Sequence, residues 1–144
     1  MSQEIRLQLS LQIRKGVLVY QSNPTALIAD MLGSSGPTPG TIHVALGTGL
    51  DISLSQIVIP GGWCFIMNLD PTVQPTPNFI EYGINDVSNF FPLGELLPGE
   101  FAIFRLSRNV GKEYVGTGTG VANSTFRIKA HGAATLARVE VFDA

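Results

Sequence analysis

Phe126-Arg127-Ile128-Lys129-Ala130-His131 places an apolar side chain at every second position and a basic one between. Period two is the strand repeat, because successive side chains leave opposite faces of an extended chain. One face of this segment is apolar and the other wet. Ile5, Leu7, Leu9, Leu11 and Ile13 repeat the pattern against Arg6, Gln8, Ser10, Gln12 and Arg14. A helix would scatter those residues around its circumference. The spacing therefore predicts one long amphipathic strand over 4–14.

Working outward, residues 17–20 continue that strand or return as its hairpin partner. Strands are also predicted at 41–46, 52–59, 63–69, 78–83, 90–93, 101–106, 113–116, 124–130 and 135–142. Segment 25–32 reads equally as one or two helical turns or as a buried strand. Residues 101–106 are apolar on both faces except Arg105, which predicts a central strand. Turns are marked by Asn23-Pro24, by Pro60-Gly61-Gly62 and by Pro98-Gly99. The last has type II chemistry, Pro supplying φ near −65° and Gly a positive φ. Gly132 is expected in a hairpin turn between its two flanking strands. Residues 33–40 (Gly-Ser-Ser-Gly-Pro-Thr-Pro-Gly) carry no packing residue and predict a flexible loop. About nine or ten short antiparallel strands spaced by turns predict an all-β chain. The expected architecture is a jelly-roll-like β-sandwich, a single domain over 1–144.

Composition agrees with this. The chain has 144 residues, 44% hydrophobic and 14% charged, with 16 glycines and 9 prolines. A charged fraction so far below the usual ~25% argues against disorder, and implies a chain that hides more surface than a small monomer does. That many helix breakers exclude a helical bundle. Apolar runs are short, as in Val17-Leu18-Val19-Tyr20, far from the ~20 residues of a membrane helix. The polar start Met-Ser-Gln-Glu-Ile-Arg predicts no signal peptide. One cysteine forms neither an internal disulfide nor a thiolate cage, which fits synthesis in a reducing compartment. A net charge of −2 gives no global basic field for nucleic acid.

The charge is unevenly placed. All nine Lys and Arg lie before position 16 or after 104, and the 89 residues between carry seven acidic side chains. The ends are net basic and the middle is net acidic. That asymmetry marks either one basic face of adjacent end strands or electrostatic steering between copies or onto a partner. Arg6, Arg14, Lys15, Arg127 and Lys129 are the interface candidates it supplies, and Tyr20 joins them as a further candidate.

Catalytic patterns are sparse. His43 and His131 stand far apart, and no Gly-x-Ser-x-Gly elbow is present. Cys64, between Trp63 and Phe65, has no neighbouring base and reads as a small buried hydrophobe. Asn68, Asp70, Asn85 and Asp86 offer oxygens for calcium without the spacing of a calcium loop. Gly116-Thr117-Gly118-Thr119-Gly120 lacks the Gly-Lys-Thr ending of a phosphate loop and reads as a glycine-rich hairpin. Glu81, Glu95 and Glu100 would serve glycoside hydrolysis only if folding gathered them. The expectation is no enzyme, no cofactor and no metal.

One pattern is more specific. Gly62-Trp63-Cys64-Phe65-Ile66-Met67-Asn68-Leu69-Asp70 is followed by Asn78-Phe79-Ile80-Glu81-Tyr82-Gly83. Then come Phe91-Pro92-Leu93 and Leu97-Pro98-Gly99-Glu100-Phe101-Ala102-Ile103-Phe104-Arg105-Leu106. This order, from about Gly62 to the C-terminus, resembles small structural proteins of tailed bacteriophage particles. The motif positions are Gly62, Trp63, Asn68, Leu69, Asp70, Asn78, Glu81, Gly83, Pro98, Gly99, Glu100 and Arg105. The 70–78 gap is longer than the family pattern and holds Pro71, Pro75 and Pro77. The resemblance implies a structural virion protein made in the host cytoplasm, foremost a capsid decoration (cement) protein bridging major capsid subunits. A small tail or connector protein is the alternative within that class. The implied partners are the major capsid protein or other virion proteins and further copies of the chain, a trimer being favoured. Neither nucleic acid nor membrane is implied. A carbohydrate-binding sandwich using Tyr20, Tyr82 or Trp63 as a platform is the alternative from another class.

Overall fold

The computed structural model describes residues 5–31, 33–34, 36–54, 56–57, 62–71, 78–86, 89–107, 110 and 124–143. Every regular element among them is a strand. The chain divides into two compact units, 1–32 and 33–144.

In the first unit, β1 (Ile5–Leu7) pairs antiparallel with β4 (Leu27–Ala29), and β2 (Leu11–Lys15) with β3 (Leu18–Ser22). The chain doubles back at Gly16, whose φ of 58° suits glycine. The expected single strand over 4–14 is thus interrupted at residues 8–10. There the Ser10 hydroxyl donates to Asn23 Oδ1 at 2.7 Å, holding the two arms together across the break. The ambiguous 25–32 segment contributes a strand, not a helix.

The second unit contains β5 (Thr38–Val44), β6 (Leu50–Asp51), β7 (Trp63–Asn68) and β8 (Phe79–Asp86). It continues with β9 (Asn89–Leu96), β10 (Phe101–Arg105), β11 (Thr125–His131) and β12 (Thr135–Val141). Pairing is nested from the ends inward: β5 with β12, β6 with β11, β7 with β10, β8 with β9. Rolling such a ribbon sets β12 beside β7 and β11 beside β8. Two four-stranded antiparallel sheets result, β10-β7-β12-β5 and β6-β11-β8-β9. Counted from β5, the orders are 1-8-3-6 and 2-7-4-5, the connectivity of an eight-strand jelly roll.

The period-two pattern becomes the core. Along β12, Ala137, Val139 and Val141 point inward, and Leu136, Arg138 and Glu140 outward. Cys64, Ile66 and Val44 join them from the same sheet; Phe126, Ile128, Ala130 and Ile80 face them from the other. Truncating one of the larger of these side chains to Ala costs on the order of 2–5 kcal/mol. Phe104 extends this core, stacked on Tyr82 at 5.5 Å and edge-on to Phe126 at 5.7 Å.

Four expectations are corrected. β10 is the outermost strand of its sheet, not a central one. Gly132, at φ 85°, does not close a hairpin, because β11 and β12 belong to different sheets and the segment crosses between them. The expected strand over 52–59 is only the short β6 just before it; beyond, the Ile57 amide turns back to the Leu54 carbonyl. Residues 33–40 are not a bare loop: Thr38, Pro39 and Gly40 pair with β12, and Gly33 and Gly36 lie against residues 141–143. The predictions at 113–116 and 116–120 fall outside the described residues.

Gly62 is held by lack of space. A Cβ there would fall on the backbone carbonyl of Phe142, which cannot swing aside. Gly99 has open space but a φ of 80°. Gly62→Ala is therefore expected to cost at least about 3 kcal/mol, and Gly99→Ala about 1–2 kcal/mol. Urea unfolding of the two variants beside the parent measures the difference.

Candidate interaction surfaces

Seven of the twelve motif residues, Asn68, Leu69, Asp70, Asn78, Pro98, Gly99 and Glu100, meet at one corner of the sandwich, and their work there is structural. Asn68, the fully buried last residue of β7, donates from its side-chain amide to the Leu96 carbonyl at 3.0 Å and the Asn78 carbonyl at 3.2 Å. Its Oδ1 accepts from the Asp70 amide at 3.0 Å. The Asp70 carboxylate accepts from Asn78 Nδ2 at 2.8 Å and the Thr135 hydroxyl at 3.3 Å. The Asn68 amide donates to the Glu100 carbonyl and its own carbonyl accepts from Gly99. The Glu100 amide closes the 97–100 turn onto the Leu97 carbonyl, and the Glu100 carboxylate accepts from the Leu97 amide at 2.8 Å. The motif thus ties the β7 end to the turn that carries the chain from β9 to β10. A cavity of about 240 Å³ opens between Leu69–Asp70–Pro71, Asn78 and Ala134–Thr135–Leu136. Its polar walls are the same hydrogen-bonded groups.

The remaining motif positions are spacers and pairs. Gly83 sits at a register shift opposite β9, where a Cβ would meet the Phe91 carbonyl. Leu93 is the extra residue of that bulge. Trp63 and Arg105 are register partners at the other end of the β7–β10 pair. Glu81 bonds His131 through Nε2 at 2.6 Å, and the His131 ring stacks on Phe79 at 4.6 Å.

Other chemical candidates are separated or engaged. Asp86 lies eight strand positions from Asn78, about 26 Å along β8, so the calcium set is split between two ends of the sheet. Glu81 and Glu95 stand opposite each other across the β8–β9 pair, whereas the Glu100 carboxylate accepts from the Leu97 amide of its own turn. Among the described residues no group of three His, Cys, Asp or Glu gathers. His43 is exposed on edge strand β5, opposite Leu136. Burial pushes the Cys64 thiol up to about 12, so it stays protonated at neutral pH. Tyr82 is spent on its stack with Phe104 rather than held out as a platform.

The two outer sheet faces differ in kind. The outer face of β11 carries Thr125, Arg127, Lys129 and His131, a polar and basic row. Arg127 is bidentate on Asp51 at 2.6 and 2.8 Å, and Lys129 stands over the Phe90 ring at 4.7 Å. The outer face of β7 and β10 instead presents Trp63, Phe65, Met67, Phe101 and Ile103, with Leu136 beside them on β12. Phe65 stacks on Phe101 at 5.9 Å and lies under the Arg138 guanidinium. An antiparallel sheet exposed on one side alternates apolar and polar residues. This one does not. The apolarity that the sequence places on both faces of 101–106 belongs to an outermost strand whose outward residues Phe101 and Ile103 are exposed and half-buried, not to a central strand.

The first unit is more apolar still. Cross-strand register puts Leu11, Ile13, Leu18 and Tyr20 on one face of the β2–β3 hairpin, with Lys15 and Ser22 at its ends, and Gln12, Arg14 and Gln21 on the other beside Val19. Every residue of β2 is exposed, and Val17 at the tip is fully so. Of the interface candidates, Tyr20 lies on the apolar face, Arg14 on the polar face and Lys15 beside the turn; Arg6 is exposed on β1. Comparison with protein families, with curated proteins and with solved structures finds no match to this chain.

Two outcomes follow. Asn68→Ala strips partners from two carbonyls and one amide at the corner and should cost about 2–4 kcal/mol in urea unfolding. The Asp51 carboxyl is held below its ordinary range, first by its hydrogen bonds to Arg127, with burial opposing and Thr125 assisting. Its contribution is full above the ordinary carboxylate range and lost as pH falls through its lowered folded value. Because the pair is largely exposed, that contribution is on the order of 0–1 kcal/mol. Asp51→Asn should flatten this part of the acid limb in urea midpoints measured between pH 6 and pH 2.

Proposed function

We propose that this chain is a structural protein of a tailed-phage particle, and specifically a decoration protein that bridges and stabilises neighbouring major capsid subunits. The observation that carries the reading is the placement of exposed apolar side chains. Sixteen large hydrophobics are exposed among the described residues, and nine of them, from Leu9 to Ile28, lie in the first unit. An isolated two-stranded ribbon is marginal in water unless one face is covered. Contiguous exposed apolar surface of this kind marks a site of protein association.

Magnitudes favour many weak junctions over one strong one. Covering a half-exposed side chain returns about 1 kcal/mol, so the four on the hairpin's apolar face return roughly 4 kcal/mol and a matching partner patch about as much again. Association costs an estimated 4–15 kcal/mol in lost freedom. A single hairpin contact is near balance. A lattice presenting several sites to a small oligomer converts near balance into firm attachment by avidity. That is the regime of a cement protein, and the apolar outer face of β7 and β10 supplies a second contact surface. The resemblance of the 62–106 motif to phage structural proteins is the ground for taking that lattice to be a phage head.

Phage heads prepared without this protein and then incubated with it should take up a saturable number of copies in co-sedimentation. They should also open at a higher temperature. Uptake by isolated tails and not by heads moves the assignment to the tail. Uptake by neither removes the virion reading.

A further inference from the structure

We infer that the β2–β3 hairpin of one copy docks its apolar face on the β9–β10 edge of a second copy. The inference concerns self-association and stands apart from the virion reading. β9 and β10 are each the outermost strand of their sheet, and the 97–100 turn joins them directly, so together they form one lateral edge of the sandwich. That edge exposes Phe91, Leu93, Leu97 and Phe101. The hairpin face exposes Leu11, Ile13, Leu18 and Tyr20.

Charge selects this edge over the apolar outer face of β7 and β10. The described residues of the first unit carry Arg6, Arg14 and Lys15 against Asp30 alone. On the outer face of β7 and β10 the acid Glu140 is already engaged by Arg138, so that face offers a basic hairpin little attraction. The edge carries Glu95 and Glu100, with Asp86 at the end of neighbouring β8, against Arg105 alone at the far end of β10. Opposite charges ringing two apolar patches steer encounter and fix the docked pairing. Both halves of the junction are present on every chain, so a second copy satisfies it without another component. The contact is head-to-tail: hairpin on edge leaves one hairpin and one edge free, and the series closes into a ring or extends.

That geometry gives a test with full chains. Leu18→Glu spoils the hairpin face and Leu93→Glu spoils the edge; both positions are more than half exposed, so both variants should fold, as circular dichroism will check. The parent should self-associate with rising concentration in sedimentation equilibrium. Each variant alone should associate at least about tenfold more weakly. Mixed, they should form a 1:1 dimer and nothing larger, since one intact hairpin and one intact edge remain between them. A parent that stays monomeric, a Leu93→Glu variant that associates like the parent, or a mixture that stays monomeric would each overturn the inference.

Discussion

The last strand of the chain sits inside its sheet. β12 pairs with β5 over seven residues and with β7 over five, and its inward residues Ala137, Val139 and Val141 are fully buried. Every other feature of the sandwich depends on that placement. Among the described residues β5 has no other strand partner, so without β12 the first strand of the ribbon loses its ladder. β7 would keep only β10. The stretch after β12 is fastened too: the Phe142 amide donates to Trp63, and Gly33, Gly36 and Gly62 are glycines because residues 141–143 run against them.

The same constraint gives the motif its meaning. A jelly roll must send its chain from one sheet to the other repeatedly, and each crossing leaves backbone groups that no ladder satisfies. Asn68 reaches two of these carbonyls from a fully buried position, and Gly99 and Glu100 supply the turn beside it. Residues that look like a signature in the sequence are the parts of a corner. Their chemistry is hydrogen bonding in the absence of water, where an unpaired group costs more than a paired one returns. The surfaces open to partners lie elsewhere, on strands whose outward residues break the apolar-polar alternation.

The class of fold was legible in the residues because period two survives into the structure unchanged at 125–131 and 135–141. The type II turn was legible for a similar reason: Pro98 and Gly99 have few other uses. Strand position was not legible. Phe101, Ile103 and their neighbours are apolar on both sides, which means buried on both sides only if nothing outside the chain provides the cover. The role of Gly132 was missed because a turn glycine looks the same whether it closes a hairpin or a crossing. The N-terminal alternation reads as one long strand, whereas the chain is strand at 5–7 and 11–15 with a break between, and the residues give no sign of what its apolar side meets. The charge asymmetry singles out Arg6, Arg14 and Lys15, which the structure places on exposed strands of the first unit. It could not find Phe91, Leu93 or Leu97, because an apolar residue on an edge carries no local signal. Arg127 was singled out by its charge and is held by Asp51 across the β6–β11 pair.

Residue-resolved amide hydrogen exchange on the dilute full chain is the most direct measurement of this account. If β12 locks the ribbon, its amides exchange only with global unfolding, at the slow rate shared by β7 and β11, while the β2–β3 amides exchange orders of magnitude faster. If β12 amides exchange as fast as those of the hairpin, the ribbon is not closed by its last strand and the account of the sandwich given above is wrong.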